Sequence, residues 1–154
     1  MLLAKLINFL LVAVIIVLLF GFYRQWDIST AEPADLSGQD LNNNSVRDDV
    51  DQVIEDLYPS ESIKKQGAYK YAQILQIMIT DPEGANSRLG GNGNAKLFAA
   101  IECLPDSHYD KIEDTTLNTR ARAYAYGQAD RTFFGGVYTH HDKPVEACED
   151  LIGE

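Results

Sequence analysis

Residues 40–51 read Asp40-Leu-Asn-Asn-Asn-Ser-Val-Arg-Asp-Asp-Val-Asp51, with oxygen side chains at the first, third, fifth, ninth and twelfth places of a twelve-residue segment. That is the ligand order of a calcium loop. A hard cation would take oxygen from Asp40, Asn42, Asn44, the Val46 carbonyl, Asp48 through a water, and Asp51. Three of these carry formal charge, which implies weak affinity of the extracellular kind, a dissociation constant of about 10⁻⁴ to 10⁻³ M. An Asx-rich turn that caps a helix without a metal is the competing reading.

Downstream, Val50, Val53, Ile54, Leu57 and Tyr58 recur at helical spacing up to Pro59, so the loop runs straight into an amphipathic helix. Asp49 and Asp51 fall in its first turn, where the helix dipole favours carboxylates. Ser60 can cap a longer helix with Ile63, Ala68, Ala72, Leu75 and Ile79 on one side and Tyr71, Ile74 and Met78 widening that face, stopped by Asp81-Pro82. The Gly-rich stretch 83–94 has no preceding strand and matches no phosphate-binding pattern, so it reads as a connector. A short helix capped by Asn94 would carry Leu97, Phe98, Ile101 and Leu104. A long one capped near Asp114, Thr115 or Thr116 would carry Leu117, Ala121, Tyr124 and Phe133 and end at Gly135-Gly136. Pro144 opens a last turn of helix through Cys148. No two-residue alternation appears, so the expected fold is all-α with four or five helices.

Upstream, residues 6–23 form an 18-residue apolar run interrupted by Asn8, nearly long enough to cross a bilayer core of about 30 Å. A cleaved signal peptide ending near Ser29-Thr30-Ala31 is the alternative. Lys5 before the run and Arg24 alone after it place the N-terminus in the cytoplasm and the rest outside, a single-pass inner-membrane protein with a periplasmic domain. The expected organisation is an anchor over 1–24, a tether over 25–36 and a helical domain over 37–154. Cys103 and Cys148 both fall in the exported part, where an even count favours a disulfide. With Lys5 and Arg24 set aside, 11 basic residues face 23 acidic ones, a formal charge of −12. Such a surface disfavours nucleic acid and suits a basic protein partner.

The loop resembles the calcium loops of EF-hand and dockerin-type modules, the latter also ending in Asp at the twelfth place. It departs from them in having Ser45 where Gly is usual, and Pro33 and Gly38 preclude a good entering helix, so the unit is loop-helix. The Arg-Asp-Asp-Val stretch, the later NTRARAYAY and a late cysteine together are similar to a group of small exported bacterial proteins. That resemblance implies a Gram-negative periplasmic location and brings no catalytic residues. His108, His140 and His141 lack zinc-ligand spacing. Arg120, Arg122 and Arg131 read as a solvated helix face, and Tyr69, Tyr71, Tyr124 and Tyr126 as packing residues. No nucleophile motif appears. The expectation is a non-enzymatic, membrane-anchored calcium module acting by protein contact. The alternatives are an immunity protein that neutralises a basic toxin or lytic enzyme, and a periplasmic hydrolase using Glu102 or the histidines.

Overall fold

The computed structural model describes residues 13–18, 36–133 and 144–153, and the chain divides into two units, Met1–Glu32 and Pro33–Glu154. In the first unit, residues 13–18 are helical. Among the described residues no helix is long and apolar enough to cross a membrane; the span expected over 6–23 lies outside them except for 13–18.

The second unit contains α1 (Asp48–Leu57), α2 (Ile63–Thr80), α3 (Ala85–Arg88), α4 (Gly93–Cys103), α5 (Asp106–Thr116), α6 (Arg120–Asp130) and α7 (Pro144–Gly153). No strand occurs among the described residues, as the lack of alternation implied. The helices outnumber the expected four or five because α3 lies inside the Gly-rich stretch and α5 escaped the pattern. In α5 only Ile112 and Thr116 are buried, too few for a periodic signal.

Helix α2 is the axis of the domain. Its buried residues Ala68, Tyr71, Ala72, Ile74, Leu75, Met78 and Ile79 cover most of its circumference, the mark of a core helix. It packs against each of the other six helices of the unit. Its start is set by Ser62, not Ser60: the Ser62 hydroxyl accepts a hydrogen bond from the Lys65 N–H at 3.1 Å, as an N-cap requires. Likewise α6 starts at Thr119, whose hydroxyl accepts from the Arg122 N–H at 3.3 Å. The chain therefore breaks at residues 117–119, between α5 and α6, where one continuous helix was expected. The expected Asn94 cap falls inside α4, which begins at Gly93.

Cys103 at the end of α4 and Cys148 in α7 form the expected disulfide, with both residues fully buried. Closing a loop of 45 residues contributes about 4 kcal/mol in the chain-entropy account. The bridge lies against Gly67 of α2, where an added Cβ would overlap Cys103 Sγ. Helix α6 ends at Asp130, short of the expected end at Gly135-Gly136; those glycines, His140 and His141 lie outside the described residues.

Gly67→Ala is therefore expected to destabilise the domain by about 2–4 kcal/mol, because overpacking beside a rigid bridge outweighs the gain of about 1 kcal/mol that Ala brings to a helix interior. Urea unfolding measures it. A midpoint at or above that of the wild type would contradict the packing described.

Candidate metal centre

The loop folds through a ladder of short side chains that accept from their own backbone. Asp40 accepts from the Asn44 N–H at 3.2 Å and the Ser45 N–H at 2.9 Å. Asn42 Oδ1 accepts from the Asn44 N–H at 3.0 Å, and Asn44 Oδ1 from the Val46 N–H at 2.8 Å. These are Asx turns in succession. Two residues sit in the left-handed region, Asn43 at φ 58° and Ser45 at φ 68°. Asn tolerates that conformation. Ser does so at a cost of about 1–2 kcal/mol, which explains why Gly is usual at the sixth place.

The twelfth residue closes the loop. Asp51 is nearly buried, and its carboxylate accepts from the carboxamide Nδ2 of Asn42 at 2.8 Å and of Asn44 at 3.0 and 3.1 Å. These are ordinary N–H···O distances, and they tie the third, fifth and twelfth side chains of the loop together. Both carboxamides turn their nitrogens to Asp51 because their oxygens are held by the Asn44 and Val46 N–H groups, so an ion ligated by those oxygens would have to break these bonds. Among the described residues no three His, Cys, Asp or Glu side chains converge on a metal position. An ion held here depends on Asn carboxamides and carbonyls, donors that suit calcium and not zinc.

The remaining expected ligands are placed differently from one another. Val46 buries its side chain in the core, fixing the seventh position against the domain. Asp48 Oδ1 accepts from the Leu41 N–H at 2.9 Å, so the ninth position ties the two ends of the loop together.

The residue that sequence reasoning missed is Arg47, at the eighth position. It is buried, forms a bidentate pair with Asp49, and donates from Nη1 to the Thr116 carbonyl at 2.9 Å and from Nη2 to the Thr115 carbonyl at 3.2 Å. Those carbonyls belong to the last turn of α5, which has no intrahelical donors for them. Gln73 and Gln76 of α2 add two more ties, donating to the carbonyls of Asn44 and Ser37, both at 2.8 Å. A basic residue inside an acidic loop was the available signal. Arg122 also departs from expectation: it is buried and donates to the Leu36 carbonyl at 3.0 Å and Asn118 Oδ1 at 2.7 Å, anchoring the start of the domain.

The other candidates are absorbed by packing. His108 Nδ1 lies 2.8 Å from the Tyr58 hydroxyl, whose ionisation burial pushes up. Lys65 is paired with Glu55 at 2.9 Å and Glu61 at 3.1 Å; these hydrogen bonds raise its pKa, and the same lysine lowers that of Glu55. Tyr69 is pushed up to about 12 by desolvation and its bond to Glu55. Burial, then Glu113 and Asp130, bring Tyr126 to about 12. Tyr71 is raised further by burial and its 2.6 Å bond to Glu113. Tyr71 is therefore a neutral core phenol, and Tyr69 and Tyr126 are partly buried phenols packed against the core. The described cysteines are both in the bridge, which removes a thiol nucleophile.

No family model, no curated protein and no solved structure matches this chain.

Two substitutions test the local geometry by chemical denaturation. Ser45→Gly is expected to stabilise the domain by about 1 kcal/mol, since it relieves a left-handed Ser; a loss of stability would refute that conformation. Arg47→Met is expected to cost about 2–4 kcal/mol by leaving two helix-end carbonyls without donors. A change under about 0.5 kcal/mol would mean that those bonds contribute little.

Proposed function

We propose that this chain is a membrane-anchored helical module, displayed outside the cytoplasm, whose Asp40–Asp51 loop takes up calcium for structure and which acts by contacting another protein. The observation that carries the reading is the closure of Asp51 over Asn42 and Asn44, with Asp40 drawing the first turn inward. A carboxylate in that position needs positive partners, which the amide N–H groups supply here. A divalent cation would replace them, and to take oxygen from the two amides it would have to displace the Asn44 and Val46 N–H groups from the amide oxygens. Binding would then add to folding free energy, because the unfolded chain has no such site.

The location rests on the apolar run over 6–23 with its flanking charges, and the Cys103–Cys148 bridge suits an oxidising compartment. The mode of action rests on charge: an exported part at −12 attracts a basic partner and repels nucleic acid. Neutralisation of a basic toxin or lytic enzyme at the membrane is the narrower form of this reading. A hydrolase draws less support, since His108 is engaged with Tyr58 and the described cysteines carry no free thiol.

Thermal melting of the full chain in chelator and in 10 mM calcium tests the loop. For the affinity class expected, binding should stabilise by about 1.4–2.7 kcal/mol, a rise of roughly 5 °C or more. Asp40→Ala and Asp51→Ala should abolish the rise, and His108→Ala should retain it. An unchanged wild-type melting temperature would leave the loop as a helix cap alone.

A further inference from the structure

Residues 36–39 carry the chain into the Asp40–Asp51 loop, and three hydrogen bonds to their carbonyls fasten them to the helices. Arg122 at the start of α6 donates from Nε to the Leu36 carbonyl at 3.0 Å. Gln76 of α2 donates to the Ser37 carbonyl at 2.8 Å, and the Asp48 N–H, the first of α1, donates to the Gln39 carbonyl at 2.9 Å. None of residues 36–45 is fully buried. The next two reverse this: Val46 and Arg47 are buried, and Arg47 is pinned by Asp49 and by the Thr115 and Thr116 carbonyls. A lightly held segment thus ends abruptly at a firmly held one, the contrast in local stability from which separable units arise.

The order of these bonds decides how the segment responds to load. A pull on the chain entering at Leu36 strains the Arg122 bond first, then that of Gln76, then that of the Asp48 N–H. Bonds loaded one at a time yield at lower force than bonds sheared together. After the third comes the loop itself. Asp48 also accepts from the Leu41 N–H, and Asp40 from the Asn44 and Ser45 N–H groups, so lifting Gln39 undoes the closure of the loop at its first end. Arg122 holds Asn118 too, so the same release reaches the break between α5 and α6. We propose that residues 36–45 are a release strap: tension on the chain entering at Leu36 peels them from α6, α2 and α1 in that order and stops at Val46 and Arg47, opening the loop while the helices stay folded. The inference rests on the anchored reading, in which the membrane holds one end of that chain and a bound partner pulls on the domain. A strap under load would then give up Asp40, and with it an ion in the loop.

The test pulls the full chain, in detergent and in magnetic tweezers, between handles on Ser29→Cys and Ser107→Cys. Ser107 is exposed on α5, and the buried Cys103–Cys148 bridge takes no label. Expected in chelator is a reversible first step of about 3 nm, ten residues at roughly 3.3–3.6 Å each, ahead of the main unfolding. Gln76→Leu should shorten the closed lifetime of the strap at constant force by about fivefold or more, by removing one bond, with the main unfolding step retained. Arg122→Met should do the same. Calcium at 10 mM should lengthen the closed lifetime; a step that is present and indifferent to calcium would support the strap and refute the ion reading. Main unfolding with no prior step, a first step longer than that of ten residues, or a closed lifetime unchanged in both variants would overturn the proposal.

Discussion

A helix that is apolar around most of its circumference must be wrapped on all sides, and α2 imposes that requirement on everything around it. Six helices pack on it, none of them long, so each must be steered onto the axis by its connection. The buried Cys103–Cys148 bridge secures α4 to α7, directly over Gly67. Caps at Ser62 and Thr119 set where α2 and α6 begin. On the remaining side, the wrapping is done by an acidic loop whose own hydrophobic contribution is chiefly Val46. Polar ties hold it there instead.

Those ties converge on Arg47, Gln73 and Gln76. Two glutamines hold the loop backbone against α2, and one arginine holds it against the end of α5. Gly38, at φ 69°, lets the chain pass the Arg47 stem; a Cβ there would come within 2.5 Å of Cδ. The side chains of the loop are thus arranged by the scaffold around them. It also means that the loop cannot rearrange without disturbing the α5–α6 break.

The parts of this architecture that rest on local or periodic signals were legible in the sequence. The α2 face, the helix after the loop and the cysteine pairing follow from spacing and compartment. Within the loop, Asn42 and Asn44 donate to Asp51, and Asp40 accepts from the Asn44 N–H. What escaped was set by tertiary contacts. Helix α5 has too few apolar residues to announce itself, and its C-terminal carbonyls are satisfied from a residue 68 or 69 positions away. Arg122 reads as a surface charge until Leu36 is seen beside it. Buried arginines that serve backbone carbonyls leave no pattern, because one partner is the main chain.

The central claim is that the Asp40–Asp51 loop and the end of α5 are one mechanical unit joined by Arg47. Residue-resolved amide hydrogen exchange, with chelator and with millimolar calcium, addresses it most directly. The account predicts that calcium slows exchange at Asn44, Ser45 and Val46 and also at the amides of the last turn of α5 and the first turn of α6. Slowing confined to residues 40–51, or none at all, would contradict it.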